Sequence, residues 1–292
     1  MDVVVFGAGS LGSLVGGLLA REHRVTLVGR DPHVQRVRDA GLRIEGAVEA
    51  SVSPAADTSP PRRADLAVVT VKAFDTDDAG RALAACDLGG ALSLQNGLGN
   101  EETLAEHLDA PVLAGTCTYG ARLLESGRVE CTGVGEIVLG PREGGRSALA
   151  DRVGKAFERA GLVTVVADDM PRRQWEKLAV NAGINAPTAL ARIPNGALLD
   201  GPAREAMRTA AREVARAARR RGVDLADETA VASVERVAAD TAGNASSMLQ
   251  DVERGRRTEV DHINGVVAGV DAPVNATLAA LVRAWERERG LR

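Results

Sequence analysis

The chain has 292 residues, of which 45% are hydrophobic and 26% charged, with 32 glycines and 11 prolines. That is globular composition at a length for one large or two medium domains, and it excludes disordered, collagen-like and mini-protein architectures. A formal charge of −4 with three Phe, two Trp and one Tyr supplies neither the field nor the stacking surface that nucleic-acid binding needs.

Three cysteines (Cys86, Cys117, Cys131) have no Cys-x-x-Cys spacing, and four histidines (His23, His33, His107, His262) are scattered. Neither a disulfide framework nor a bound metal is expected, and a reducing cytoplasm fits. Val3 to Ala20 carries no charge for 18 residues, a length that suggests a leader or anchor. However, Asp2 precedes it and Gly7, Gly9, Gly12, Gly16 and Gly17 interrupt it, which suits a buried strand and turn, so no membrane association is expected.

Apolar runs then recur at Val3 to Phe6, Val25 to Val28, Leu66 to Val71, Ala91 to Leu94 and Val112 to Thr116. Continuous runs of this kind are buried on both faces, and helical stretches separate them: Leu11 to Glu22, His33 to Ala40, Asp75 to Ala85, and Glu101 to Leu108 with Asn100 as N-cap. The rhythm predicts a parallel sheet wrapped by helices over residues 1–167. Tyr119 to Gly140 alternates instead and reads as an antiparallel addition at a sheet edge.

Gly7-Ala8-Gly9-Ser10-Leu11-Gly12 follows the first strand and opens a helix, the context in which glycines serve a tight turn, close approach to a pyrophosphate and helix packing. The helix start offers N–H groups and positive dipole to the anion. After the second strand stands Arg30, where an NAD site carries a carboxylate; a guanidinium there pairs with a 2′-phosphate and favours NADP, the alternative being a solvated side chain. Only Lys72, Lys155 and Lys177 are lysine; the other 33 basic residues are arginine. Genome bias accounts for this, yet it marks each remaining lysine as a candidate for chemistry that arginine cannot do. Lys155 reads as exposed. Lys72 and Asn96-Gly97 end strands, on the carboxyl edge where open α/β sheets bind ligands, the alternatives being a capping lysine and an Asn-Gly turn.

From residue 168 to 292 nearly everything has helical periodicity, which predicts a second, all-helical domain. In Pro202 to Gly222, arginines at steps of four drift about 40° per step, and Glu205 and Glu213 between them predict a solvated face with local ion pairs. Lys177, Asn181 and Asn185 also recur every four residues, each about 6 Å and ~40° from the last, so one ammonium and two carboxamides share a helix face. Buried without partners they would cost several kcal/mol, roughly, so they face water, a polar element or a ligand. Ser247 with Gln250 has capping-box spacing, which also suits a carboxylate ligand. Glu259 is expected in the first turn of a further helix.

The glycine pattern, Lys72, Gln95-Asn96-Gly97, Trp175-Glu176-Lys177-Leu178 with Asn181, Asn185 and Thr188-Ala189, Pro194-Asn195-Gly196, Ser246-Ser247-Met248 with Gln250-Asp251, and Thr258-Glu259 through Asp261, Ile263, Asn264 and Gly265 resemble the ketopantoate reductase (2-dehydropantoate 2-reductase) family. The resemblance spans nearly the whole chain. Its first motif is generic to dinucleotide folds, the lysine–asparagine pair is shared with β-hydroxyacid dehydrogenases, and the two later motifs discriminate. It implies an N-terminal Rossmann-type domain and an all-helical C-terminal domain of the 6-phosphogluconate dehydrogenase C-terminal-like type. It further implies NADPH-dependent reduction of a small 2-oxo acid, 2-dehydropantoate, to pantoate, in a chain for which a homodimer stays open. By matching position Lys177 is the proton donor; Asn96, Asn181, Asn185, Asn195 and Ser247 hold substrate; and Gly7 to Gly12, Arg30, Lys72, Asn96, Gly120 and Glu259 lie on the cofactor side. The competing readings are a reductase of another 2-oxo or 3-hydroxy acid and a non-catalytic dinucleotide sensor, which would need no proton donor.

Overall fold

The computed structural model describes residues 1–269 and 271–292. The chain divides into two compact units, Met1–Gln95 with Gly99–Met170, and Asn96–Leu98 with Pro171–Arg292. The first opens with β1 (Asp2–Phe6), α1 (Ser10–Leu19), β2 (Arg24–Val28), α2 (His33–Ala40), β3 (Leu42–Gly46), β4 (Ala50–Val52), β5 (Ala55–Asp57), β6 (Arg63–Ala64) and β7 (Leu66–Val69). It continues through α3 (Thr76–Leu83), β8 (Asp87–Leu88), β9 (Ala91–Ser93), α4 (Asn100–His107), β10 (Val112–Cys117), β11 (Gly120–Glu125), β12 (Arg128–Gly133), β13 (Ile137–Pro141), α5 (Ala148–Arg159) and β14 (Thr164–Val166).

Eight strands form the main sheet in the order β14-β13-β10-β9-β7-β1-β2-β5, parallel except where β13 meets β10. Both faces are buried by strict alternation. Val3, Val5, Val25 and Leu27 pack with Leu14, Leu18, Val153 and Phe157 of α1 and α5. Val4, Val28, Ala67 and Val69 pack with Ala79, Leu83 and Leu104 of α3 and α4. This is a helix layer on each face of a parallel sheet, and the crossovers bring the carboxyl ends of β1, β2, β7 and β9 to one edge.

The second half of the expected antiparallel addition is β13, which lies inside the main sheet. The first half is not at its edge: β11 and β12 join β3 and β4 in a separate four-stranded sheet. The hairpin pairs with β3, some 80 residues earlier, because Arg128–Cys131 aligns with Arg43–Gly46. Asn100 is not the cap of α4. Gly99, with φ 92°, takes that place, and the Asn100 side chain turns inward to the Thr76 hydroxyl, 2.9 Å away.

The second unit is helical: α6 (Met170–Ala191), α7 (Ala197–Asp200), α8 (Arg204–Arg220), α9 (Asp227–Asp240), α10 (Ser247–Glu253) and α11 (Pro273–Arg287). Its core is rich in alanine, with Ala179, Ala182, Ala186, Ala210, Ala211 and Ala218 buried. Gly183 lets α6 approach its neighbours: a Cβ there would sit 2.8 Å from Val234 and 3.0 Å from the Met207 carbonyl. Five of the six arginines of α8 are ion-paired, Arg204 and Arg208 to Glu235, Arg212 to Glu205, and Arg216 and Arg219 to Asp227. Glu213 departs from the solvated-face expectation. It is buried and accepts bonds from Val274 N, Asn275 N and Asn275 Nδ2, closing the N-terminus of α11. No helix among the described residues is long and apolar enough to cross a membrane.

Candidate active site

The glycine loop is built by the end of β1. Gly7 N and Ala8 N both donate to the Val28 carbonyl at 2.9 Å, which fastens the loop to the end of β2. Gly7 has φ 112°, and a Cβ on it would lie 2.7 Å from Val71 N, so geometry and space both require glycine. A Cβ on Gly12 would overlap the Gly7 carbonyl and lie 2.5 Å from the Thr70 hydroxyl, which itself donates to Gly7 O at 2.9 Å. Gly9 differs. Its φ of −86° suits any residue, and the nearest atom to a Cβ there is 4.0 Å away.

Helix α1 has no side-chain cap and no acidic residue in its first turn, so its leading N–H groups present an uncompensated positive end. Ala8 and Leu11 flank it, and the Ser10 hydroxyl accepts from Leu123 N at 3.0 Å, which ties the loop to β11. Gly120 begins that same strand opposite Gly133. Arg30 is exposed just past β2 and has no ion pair among the described residues. Asp31-Pro32 leads into α2 without a side-chain cap, so Asp31 does not cap that helix. These features fit a dinucleotide with a 2′-phosphate: a cleared backbone and helix dipole for the pyrophosphate, and a guanidinium where the ribose is expected. Two cavities of this unit, about 470 and 870 Å³, are lined by other residues.

Lys72 is half-buried directly after the Thr70-Val71 turn, and its carbonyl accepts from Asp75 N at 2.8 Å. A buried network holds this strand end. Gln95 Nε2 donates to the Val71 carbonyl (3.2 Å) and to the Thr76 hydroxyl (2.7 Å), while its Oε1 accepts from Ser93 Oγ (3.2 Å). Gln95 thus fixes the segment before Lys72 from the residue before Asn96, a role the sequence pattern did not reveal.

In the helical unit Lys177, Asn181 and Asn185 do share one face of α6, the first two half-buried and Asn185 buried. Asn96 Nδ2 donates to Glu259 Oε2 at 3.3 Å, and Leu98 N donates to His262 O. Gly97, with φ 86°, is required between them, because a Cβ would lie 2.6 Å from the His262 carbonyl. Glu259 is not in a helix: it lies at a bend, and residues 260–267 are turns.

Asn195 is buried. Its backbone N–H donates to Asn244 O and its Nδ2 to Thr241 Oγ1, but its Oδ1 has no hydrogen-bond partner among the described residues. Ser246, not Ser247, caps α10 by accepting from Leu249 N at 3.1 Å. The Ser246 hydroxyl also lies 2.8 Å from that of Thr188 on α6, which leaves the exposed Ser247 hydroxyl outside the cap. Thr188 and Ser246 are supports that sequence reasoning missed. The adjacent serine pair signalled a cap without saying which residue makes it.

No group of three or more His, Cys, Asp and Glu among the described residues could hold a metal ion. A family model described as "Ketopantoate reductase PanE/ApbA" matches residues 3–144, and "Ketopantoate reductase PanE/ApbA C terminal" matches residues 169–286. The chain belongs to the ketopantoate reductase family. A 2-dehydropantoate 2-reductase of Halobacterium salinarum is 46% identical, covering 99% of this chain and 100% of its own. The crystal structure of a PanE/ApbA family ketopantoate reductase from Ralstonia eutropha JMP134 is similar at TM-score 0.90 and 33% identity over 99% of this chain and 100% of that one. A D-mandelate dehydrogenase solved with NADH is similar at TM-score 0.88 and 25% identity over 99% of each chain. The family thus joins the Rossmann-type and helical units seen here in one oxidoreductase architecture.

Proposed function

We propose that this chain is an NADPH-dependent 2-dehydropantoate 2-reductase that forms (R)-pantoate on the way to pantothenate and coenzyme A. The observation that carries the reading is the family match across both units, 3–144 and 169–286. NADPH, when bound, supplies the hydride that reduces the ketone carbon. Gly7 to Gly12 hold its pyrophosphate on the N–H groups of α1, Arg30 pairs with its 2′-phosphate, and Lys72, Asn96, Gly120 and Glu259 complete the cofactor side.

As the ketone is reduced its oxygen gains negative charge, which Lys177 neutralises, first as a nearby ammonium and then by giving up the proton that completes the hydroxyl. General-acid help of this kind contributes about 10² to 10⁴ in rate, or roughly 3–5 kcal/mol. Asn181 and Asn185, one and two turns along the same face, donate to and accept from the substrate's oxygens. The buried Oδ1 of Asn195 is an acceptor lacking a donor among the described residues, which suits a substrate hydroxyl, and the free Ser247 hydroxyl suits the carboxylate. A sensor would need neither the ammonium nor this row.

A second reading, reduction of another 2-oxo acid, is favoured by the similarity to D-mandelate dehydrogenase. The test is to incubate the protein with NADPH and a panel of 2-oxo acids, 2-dehydropantoate and an aromatic 2-oxo acid among them, and follow loss of nicotinamide absorbance. The highest kcat/KM is expected for 2-dehydropantoate; preference for the aromatic acid would support the second reading, and no turnover at all the sensor.

A further inference from the structure

The helix expected to start around Glu259 does not form, and the reason lies in α11. Thr258 N and Thr258 Oγ1 both donate to Glu286 Oε1 at 2.7 Å, and Glu286 is fully buried. Three residues on, Asp261 accepts from Arg283 Nε at 2.7 Å and pairs with Arg292. Three further, Asn264 Nδ2 donates to Asn275 Oδ1 at 2.9 Å and to the Ala182 carbonyl of α6 at 3.0 Å. Burial pushes the Asp261 carboxyl up, but the Arg283 and Arg292 guanidiniums override it and hold it below the usual carboxylate range.

On α11 the partners Asn275, Arg283 and Glu286 fall within about 80° of one another at ~100° per residue, so they form one stripe. The stripe from 275 to 286 is about 16 Å long, whereas a helical 258–264 would cover only about 9 Å of it. Side-chain bonds to α11 therefore stretch the segment into turns, the competition with helix expected of such residues. Between the first two anchors stands Glu259, buried and bonded by Asn96. The third anchor reaches α6 at Ala182, beside Asn181.

We propose that Thr258, Asp261 and Asn264 are positioning residues: they strap the turn to α11 and thereby hold the Glu259 carboxylate in register for the cofactor. This rests on the reading of Glu259 as a cofactor-side residue. The strap makes no contact with ligand of its own, and its effect passes through Glu259.

The test uses the full chain with Thr258→Val, which deletes only the hydroxyl, Thr258→Ser, which restores it, Glu259→Gln, and the double variant. Asp261→Asn, at a partly exposed anchor, is a second probe should Thr258→Val not fold. NADPH Kd is read by nicotinamide fluorescence, with Tm alongside. Glu259→Gln is expected to weaken NADPH, Thr258→Val and Asp261→Asn to weaken it by about threefold or more, and Thr258→Ser to stay near wild type, as for a coupled pair. In the Glu259→Gln background the added Thr258→Val or Asp261→Asn effect should fall below about twofold. Anchor variants that bind NADPH like wild type while Glu259→Gln does not would overturn the strap alone, as would an undiminished effect in the double variant. Unchanged affinity in Glu259→Gln would overturn the reading of Glu259 and the strap together.

Discussion

Gly9 separates a requirement of the fold from a requirement of the ligand. In Gly9→Ala the new methyl meets nothing closer than the Gly7 carbonyl at 4.0 Å, with φ already at −86°. Alanine is poorer than glycine at an N-cap by about 0.5–1 kcal/mol. Fewer conformations in the unfolded chain return about 0.4–1 kcal/mol. Stability should thus stay within about 1 kcal/mol of wild type. A pyrophosphate on this backbone would lose one or so charge-assisted N–H bonds, about 1.5–3 kcal/mol, so NADPH Kd should rise roughly ten- to hundred-fold. Gly12→Ala is the opposite control. Its methyl would overlap the Gly7 carbonyl and press on Thr70 Oγ1, overpacking that costs about 1–3 kcal/mol or more and lowers Tm by several degrees, roughly. Fluorescence titration with NADPH and cofactor-free thermal melts measure both. If Gly9→Ala bound NADPH with wild-type affinity, or melted as early as Gly12→Ala, the reasoning would be refuted.

Lys177→Ala should retain NADPH affinity yet lose about 10² to 10⁴ in kcat; unchanged steady-state turnover would remove it as proton donor. Arg30→Ala should weaken NADPH far more than NADH, because only NADPH has the 2′-phosphate, and equal losses in paired titrations would count against the guanidinium reading. His33 is buried, with Gly127 N donating to its Nδ1 (3.1 Å) and Ser13 Oγ at 2.9 Å from its Nε2; burial pushes its pKa down. The unfolded chain then binds more protons between that lowered value and about 6.5, so stability rises with pH through this window, is complete above it and is lost on acidification. Denaturant midpoints across the window should slope less in His33→Gln, and identical slopes would dismiss the histidine as the cause.

The Rossmann half was legible because its strands are buried on both faces: Val3 to Phe6 or Leu66 to Val69 need no partner in view to be read as core. What sequence missed is half-exposed. Leu42–Gly46 alternates buried and exposed, and its pairing with β12 some 80 residues later has no local signal. Turns 260–267 failed for a related reason. The helix-like spacing of Thr258, Asp261 and Asn264 is real, but those side chains bond α11 instead of their own backbone.

The site shows the same division at finer grain. Glu205 and Glu213 are interchangeable in a periodicity argument, yet one pairs with Arg212 at the surface and the other closes the start of α11 from inside the core. Ser246 and Ser247 look alike, and only the Thr188 hydroxyl on α6 decides which is spent on the cap. In each pair the residue claimed by the fold can be recognised by its satisfied bonds, and its twin is left over for solvent or ligand. The glycine loop obeys that rule too. Gly7 and Gly12 are explained by Val71, Thr70 and the loop's own carbonyl, whereas Gly9 has no neighbour that explains it. On the proposed reading, a dinucleotide lying on its backbone would account for glycine where the protein's own packing does not.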